Sequence, residues 1–282
     1  MPVLGRQPNR PLKRVGHRGA ETVAPGNTLA SFAAALDAGV DMIEFDVLRL
    51  RDGRLALAHD LEEVARREPV GLEEGLDHFA EEAYAGVELV VDLKGPGYER
   101  EIVEALAARD LQSRAVVTTQ YPETLDRVRA LAPELRRGWS VPRVRRRFLE
   151  VAALAVPAYW VTRYLRARLP RWAAAMLRAG RCHVVIVHRL LVGRALVRSV
   201  AREGGQLWVW AAENRRRIAR LERLGVDGVL VKDPRLFADG DAGGDGDPPG
   251  AARARRRLSA AGRWRRRSRA DRPPPPSRDP PR

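Results

Sequence analysis

The sequence contains little of what a disulfide-linked or membrane-spanning protein requires. Cys182 is the only cysteine, so no intramolecular disulfide can form, and a small buried hydrophobe is its expected role. The longest apolar stretch, residues 151–161, is interrupted by Pro157 and is shorter than the roughly 20 residues that span a bilayer. Residues 1–14 are basic but lack the apolar segment of a secretory signal. These absences predict a soluble cytoplasmic protein.

Lysine is also scarce, because only Lys13, Lys94 and Lys232 occur among 51 basic residues. The formal net charge is +15, which taken alone favours a polyanionic partner. Residues 251–282 hold twelve arginines and two aspartates, however, and so carry two thirds of this excess. The distribution argues against nucleic acid as the partner of the rest of the chain.

Short runs of Val, Ile and Leu alternate with longer amphipathic segments, as expected for parallel strands joined by crossover helices. Eight strands are predicted, and residues 55–59 are predicted to form an additional short return strand. A chain with eight such units fits a (β/α)8 barrel, which needs roughly 250 residues. The eight predicted strands comprise residues 14–19, 42–50, 87–94, 115–120, 136–141, 183–189, 206–212 and 228–232.

Helices are predicted between these strands. Asn27 is expected to cap the first of them, and Gly39 and Gly225 are expected to follow the ends of the first and the last. The predicted helices are residues 28–38, 98–109, 122–132, 191–203 and 214–224.

The segment 142–181 is longer than a usual crossover and combines arginines with Tyr159, Trp160, Tyr164 and Trp172. One interpretation is an extended helical crossover whose apolar side packs on the barrel. The alternative is a basic amphipathic surface that makes peripheral contact with membranes. The first is the preferred prediction.

The composition changes abruptly after Phe237, where Gly, Asp, Pro and Arg dominate. Such a segment has too few apolar residues to offset the entropy of ordering, so residues 238–282 are predicted to be a disordered tail. The predicted division is an N-terminal extension, residues 1–13, a barrel, residues 14–237, and the tail.

Three acidic residues lie near predicted strand ends, where barrel enzymes place their functional groups. Glu44 and Asp46 are two positions apart on one strand, so both side chains face the same way, and Asp92 lies on the next strand. Neighbouring carboxylates repel each other, and a divalent cation would relieve the repulsion. Three oxygen donors without a thiolate suit Mg²⁺ or Ca²⁺.

Two histidines and two cationic side chains accompany this cluster. His17 and His59 lie beside strand ends, and imidazoles can exchange protons near neutral pH, as phosphodiester cleavage requires. Arg18 and Lys94 offer donors for phosphate oxygens, or could be salt-bridge partners of the nearby carboxylates.

The order and spacing of these residues resemble the glycerophosphodiester phosphodiesterase family. The resemblance is densest over the first sixty residues and extends to about residue 237. It rests on His17-Arg18-Gly19, Pro25-x-Asn27-Thr28, Gly39-x-Asp41-x-Ile43-Glu44-x-Asp46, Asp52-Gly53, His59-Asp60, Asp92-Leu93-Lys94, residues 208–214 and residues 225–228.

The resemblance implies a (β/α)8 barrel of the phospholipase-C-like phosphodiesterase type, which hydrolyses glycerophosphodiesters to sn-glycerol 3-phosphate and an alcohol. His17 and His59 would then be the acid–base pair, and Arg18 a phosphate contact. Trp210 would form an apolar wall for the glycerol. The implied ligands of the metal are Glu44, Asp46 and Asp92.

The chain departs from the family pattern at three places. Gly26 and Asp92 each stand where the family has glutamate, and residues 211–213 replace the last three residues of its W-T-V-N motif. These changes keep two alternatives open. One is a phosphodiesterase that acts on phospholipid or lysophospholipid head groups. The other is a weakened barrel that binds anionic polymers through its basic tail.

Overall fold

The computed structural model of the protein describes residues 11–141 and 155–237, with side chains from residue 160 onward in the second range. Its centre is a nine-stranded sheet. In chain order the strands are β1 (Lys13–Gly16), β2 (Met42–Arg49), β3 (Leu55–Leu57), β4 (Glu88–Leu93), β5 (Ala115–Thr119), β6 (Arg136–Val141), β7 (Val184–His188), β8 (Gln206–Trp210) and β9 (Gly228–Val231).

Eight of these strands are parallel and close on themselves. The closure occurs at β1, where Val15 lies opposite Met42 of β2 on one side and opposite Leu230 of β9 on the other. The short strand β3 pairs antiparallel with β2 outside this cycle. The predicted (β/α)8 barrel and its return strand are confirmed.

Eight α-helices are described. They are α1 (Leu29–Asp37), α2 (Leu61–Arg66), α3 (Leu72–Ala80), α4 (Glu99–Ala107), α5 (Pro122–Leu131), α6 (Ala155–Arg178), α7 (Arg194–Arg202) and α8 (Arg215–Leu224). The five helices predicted individually are present. Asn27 precedes the cap of the first, because Thr28 is the residue whose side chain accepts from Ser31 N.

Helices α2 and α3 were not predicted from the sequence. Helix α2 buries no residue, so its sequence carries no apolar periodicity. Helix α3 contains Gly75, a poor helix former. A Cβ at Gly75 would lie 2.5 Å from Leu57 Cδ1, so the close approach of β3 explains why glycine occupies this position.

The inside of the barrel changes from apolar to acidic along the strands. A buried apolar cluster fills its lower part and consists of Val15, Met42, Val90, Val116, Val184, Ile186, Trp208 and Leu230. Side chains on one face of a strand recur every two residues. The positions that follow Met42 and Val90 on this inner face are therefore Glu44, Asp46 and Asp92, towards the carboxyl ends of the strands.

The long helix α6 returns the chain from the mouth of the barrel to its base. Near its N-terminal half, Arg166 Nη2 donates to the carbonyl of Val192, which follows the carboxyl end of β7. Just after its other end, the carbonyl of Gly180 accepts from Arg137 at the start of β6. Leu169 and Ala173 of α6 are buried in the outer core, so the predicted helical crossover is confirmed for residues 155–178.

Three sequence predictions concern residues outside the described ranges. These residues are 1–10 of the predicted N-terminal extension, 142–154 in the first part of the crossover and 238–282, the predicted disordered tail. Among the helices of the described part, none combines the length and apolar character needed to cross a bilayer.

Candidate active site

Three carboxylates meet at the mouth of the barrel, as the sequence predicted. Glu44 and Asp46 lie on β2, and the register places Asp46 opposite Asp92 of β4. One oxygen from each lies within 4.8 Å of the others, and all three residues are buried. Thr118 of β5 donates to Asp92 Oδ1 at 2.7 Å and fixes that carboxylate.

Two cationic side chains contact the carboxylate cluster. Lys94 Nζ lies 2.5 Å from both Asp46 Oδ1 and Asp92 Oδ2. The guanidinium of Arg18 places Nε 2.8 Å from Asp46 Oδ2. Both residues that were predicted to contact phosphate are therefore also salt-bridge partners of the acidic cluster.

The pKa values show how closely these charges interact. Burial is the largest effect on Glu44 and raises its pKa to about 7. Burial acts in the same direction on Asp46, but Lys94 and Arg18, followed by His59 and His17, overcome it and lower its pKa. Both imidazoles therefore interact electrostatically with the Asp46 carboxylate.

Each predicted catalytic histidine contacts a carboxylate through Nδ1. In His17 this nitrogen lies 3.1 Å from Glu21 Oε2, and in His59 it lies 2.7 Å from Asp60 Oδ2. A carboxylate on Nδ1 fixes the orientation of the ring and leaves Nε2 for proton exchange. Burial, and secondarily the charge of Lys94, lowers the pKa of His59.

The loop after β1 supplies backbone contacts as well as side chains. Arg18 has a φ of 51° and its backbone N–H donates to Glu44 Oε2 at 2.7 Å. Asn27, with a φ of 59°, makes two hydrogen bonds of 3.0 Å to Asp46, from Nδ2 to the carboxylate and from the backbone N–H of Asp46 to Oδ1. This loop therefore holds two of the three carboxylates.

The substitution at Gly26 has a steric explanation. A Cβ at this position would lie 2.9 Å from Arg18 Cβ and 3.1 Å from Glu21 Cγ. The space next to Arg18 is filled by Glu21, whose Oε1 lies 3.5 Å from Arg18 Nη1. In this chain an acidic side chain reaches Arg18 from position 21, while position 26 has none.

Arg67 connects the two loops that carry the histidines. Its Nη2 donates to the carbonyl of Gly26, in the loop after β1, and to Glu63 Oε1. Glu63 in turn accepts from the backbone N–H of His59 at 3.0 Å through Oε2. The link joins the backbone around His59 to the loop that begins with His17.

Trp210 lies at the carboxyl end of β8, on the opposite wall of the barrel. It packs on the inner apolar cluster and meets the ring of His188 edge-on, with a centroid distance of 4.6 Å. Trp210 therefore lies at the mouth, and its role as an apolar wall for the glycerol stays a prediction. His188 was not predicted, and it is held by a hydrogen bond from Leu190 N to Nδ1 at 3.3 Å.

The donor set fits a hard divalent cation. Asp46 Oδ1 is buried without a hydrogen bond of acceptable geometry, although Lys94 lies beside it. With all three acidic groups ionised, Arg18 and Lys94 balance two of the three negative charges. A divalent cation would leave an excess of one positive charge, which suits an anionic phosphodiester. Oxygens within 4.8 Å of one another can share an ion that binds at about 2.1–2.6 Å.

The comparison with known protein families decides the identity. The model of the glycerophosphoryl diester phosphodiesterase family matches residues 17–71 and 87–236, which include every predicted site residue. The chain belongs to this family. The family resemblance found in the sequence is therefore confirmed, and so is the enzyme class, a phosphoric diester hydrolase.

Relatives within the glycerophosphodiester phosphodiesterase family are distant in sequence. The chain is 24% identical to the glycerophosphodiester phosphodiesterase of Caldanaerobacter subterraneus subsp. tengcongensis, over 79% of this chain and 95% of the relative. It is 25% identical to glycerophosphodiester phosphodiesterase GDPD4 of Arabidopsis thaliana, over 78% of this chain and 70% of the relative.

Solved structures support the fold. A phosphodiesterase of Oleispira antarctica, in complex with the product sn-glycerol-3-phosphate, superimposes with a TM-score of 0.61 at 22% identity, covering 82% of this chain and 96% of that one. The glycerophosphodiester phosphodiesterase of Thermotoga maritima gives a TM-score of 0.55 at 17% identity, with coverages of 82% and 98%. At these identities the comparison concerns the barrel alone.

Proposed function

We propose that this chain hydrolyses glycerophosphodiesters to sn-glycerol 3-phosphate and an alcohol, using a divalent cation and the pair His17 and His59. The observation that carries the proposal is the buried cluster of three carboxylates together with two imidazoles, each in contact with a carboxylate through Nδ1. The Oleispira antarctica structure, whose ligand is sn-glycerol-3-phosphate, supports this choice of product.

Glu44, Asp46 and Asp92 would hold the cation, with Mg²⁺ and Ca²⁺ as the candidates that suit oxygen donors. When bound, such a cation neutralises charge on the phosphoryl oxygens. Arg18 and Lys94 lie beside the same carboxylates and bring two further positive charges to the mouth. Their contribution is to attract and orient the anionic phosphate.

Proton transfer would be divided between the two histidines. One imidazole accepts the proton of the attacking hydroxyl, either of water or of the adjacent glycerol carbon, as the new P–O bond forms. The other donates its proton to the departing alkoxide as the old P–O bond breaks. Attack by water would give the product directly, whereas attack by the glycerol hydroxyl would give a cyclic phosphate, which water then opens with the proton transfers reversed. The lowered pKa of His59, caused mainly by burial, favours the neutral ring and hence the role of base.

A turnover assay tests this proposal. Wild-type protein and the variants His17→Ala and His59→Ala are incubated with glycerophosphocholine and Mg²⁺, Ca²⁺, Mn²⁺ or a chelator. Each variant should lose about 10²–10⁴-fold in kcat, because one proton-transfer group is removed. Chelation should abolish turnover of the wild type.

His78→Ala provides the control, because His78 contacts Glu81 and Tyr84 on the outside of the barrel. Its turnover should stay near that of the wild type. Near-normal rates for His17→Ala or His59→Ala, in folded protein with metal present, would refute the assignment.

A further inference from the structure

The exposed apolar side chains of this protein are concentrated on one end of the barrel. Those that are large and extensively exposed in the described part are Val23, Leu61, Trp160, Val161, Tyr164, Trp172 and Leu190. Scattered single exposures are normal for a soluble protein. All of these except Trp172 belong to segments at the mouth of the barrel, and these six form what is here named the apolar rim.

Three members of the apolar rim lie on connections between the barrel strands around the mouth. Val23 is in the loop that leaves the carboxyl end of β1, and Leu61 directly follows the His59-Asp60 pair. Leu190 comes two residues after the end of β7, on the opposite wall. The rim therefore includes points on both sides of the carboxylate cluster.

The other three members lie on the mouth-side half of α6. Arg166 marks the level of the barrel's edge through its hydrogen bond to the carbonyl of Val192. Trp160 is six residues before Arg166, a rise of about 9 Å at 1.5 Å per residue. Its side chain is 61% exposed, and that of Tyr164 is 54% exposed. This part of α6 reaches beyond the edge on the same side as the site.

Positive charge accompanies the apolar rim. Helix α6 contains five arginines and no acidic residue, and Arg163 lies 5.8 Å from the centroid of the Trp160 ring. Helix α8 opens at the mouth with residues 215–217, which are all arginine. Cations are disfavoured at a helix N-terminus, although Arg217 forms an ion pair with Glu213 at 2.6 Å.

The combination of exposed aromatic side chains and arginines indicates which partner the apolar rim binds. Trp, Tyr and Arg are the residues that proteins place at the boundary between lipid head groups and acyl chains. Arginine near the surface strengthens adsorption to anionic lipid. The chain's own segment 251–282, with twelve arginines and two aspartates, has the wrong charge to cover this surface.

We propose that the apolar rim docks on the surface of an anionic phospholipid bilayer, with the mouth of the barrel facing the membrane. The docked orientation would give the site access to phosphodiesters carried by lipids as well as to dissolved ones. The inference goes beyond the proposed function, because it concerns adsorption and holds whether or not glycerophosphodiesters are hydrolysed.

Vesicle co-sedimentation of the full chain tests the proposal, with phosphatidylcholine vesicles prepared with and without phosphatidylserine. Wild-type protein should pellet with the vesicles that contain phosphatidylserine, and pelleting should fall as salt increases. The variant Trp160→Ala/Tyr164→Ala/Leu190→Ala should partition at least about tenfold less, because the apolar anchors are removed. Its thermal unfolding should match that of the wild type, since all three side chains are exposed.

A pair of charge reversals separates position from net charge. Arg163→Glu changes the rim, whereas Arg202→Glu makes the same change at the exposed C-terminal end of α7, near the base of the barrel. Arg163→Glu should weaken binding about tenfold, and Arg202→Glu should leave it unchanged.

Several outcomes would overturn the proposal. Binding by the triple variant that equals that of the wild type would assign adsorption to the basic tail. Failure of the wild type to bind phosphatidylserine vesicles at low salt would remove the membrane as partner. A wild-type dimer that the triple variant abolishes, without vesicle binding, would assign the apolar rim to a second copy of the chain.

Discussion

At the scale of single residues, Glu21 lies outside the predicted site but contacts three charged or ionisable side chains around it. It contacts His17, Arg18 and Lys232. Burial raises the pKa of Glu21, but the hydrogen bond to His17 and the charge of Arg18 outweigh this effect and lower the pKa to about 2. The side chain is therefore anionic at any working pH. A fixed negative charge beside Nδ1 of His17 holds the orientation of the ring.

The variant Glu21→Gln should lower kcat about tenfold while KM changes little, because the ring stays in place but loses its charged partner. Steady-state kinetics on glycerophosphocholine measure kcat and KM separately. Glu203→Gln removes a carboxylate from an exposed ion pair with Arg178 and serves as control. An unchanged kcat for Glu21→Gln would mean that His17 does not need this carboxylate.

Gly26 allows a second prediction at the residue scale. Gly26→Ala brings a methyl group to 2.9 Å from Arg18 Cβ, so the backbone at position 26 or Arg18, which contacts Asp46, must shift. We expect a loss of stability of about 1–3 kcal/mol from overpacking, with reduced turnover. Gly71→Ala is the matched control for turnover, because its Cβ would meet nothing within 4 Å and its φ is −66°. Equal turnover rates for both variants would contradict the prediction.

At the scale of elements, α2 shares one carboxylate with the site. Asp60 is its N-cap and accepts from Glu63 N at 2.9 Å through Oδ1, while Oδ2 contacts His59. The helix buries no residue, so this cap is a large part of what holds it. The local order of α2 and the orientation of His59 therefore depend on the same side chain.

Two substitutions of Asp60 should separate these roles. Asp60→Asn keeps a good N-cap but removes the charge, so turnover should fall while stability changes by only a few tenths of a kcal/mol. Asp60→Ala removes both the N-cap and the charge. It should lower the free energy of unfolding by about 1 kcal/mol in addition to reducing turnover. Chemical denaturation and kinetics on the two variants measure the effects, and identical stabilities would exclude the capping role.

The strands and helices also show which parts of the fold could be predicted from the sequence. The barrel strands were predictable because apolar runs alternated with amphipathic segments eight times. Helices α2 and α3 were not, because one buries nothing and the other contains a glycine that a neighbouring strand requires.

Within the site, the residues on motifs were predictable, whereas Glu21 and Thr118 were not. Their roles depend on contacts across space, with His17 and Asp92, that no local pattern encodes.

At the scale of the whole molecule, the acidic cluster links metal, pH and stability. Burial raises the pKa of Glu44 from 4.5 to about 7. An acid whose pKa is raised on folding stabilises the metal-free protein fully below the unfolded value, and this contribution is lost as pH rises through about 7. A bound cation replaces the proton, so its benefit should grow over the same range.

Thermal unfolding with Mg²⁺ or Ca²⁺, compared with chelator, should show a larger upward shift at about pH 8 than at about pH 5. The difference should develop between those values at up to about 1.4 kcal/mol per pH unit. Glu44→Gln should remove both the metal shift and its pH dependence. A metal shift that is the same at both pH values would show that Glu44 does not exchange a proton for the ion.

The apolar rim is also a property of the whole molecule. Its members come from four segments spread from residue 23 to residue 190, and only the closure of the barrel brings them to one end. The sequence indicated the aromatic arginine-rich crossover but could not associate it with Val23, Leu61 or Leu190.

The bridge made by Arg67 has a consequence for which part of this chain can change in length. It ties the His59 backbone, through Glu63, to the carbonyl of Gly26. The family match pauses after residue 71 and resumes at 87, so the bridge is complete before the unmatched interval begins. A change in length between residues 72 and 86 of this chain should therefore leave the distance between the rings of His17 and His59 unchanged.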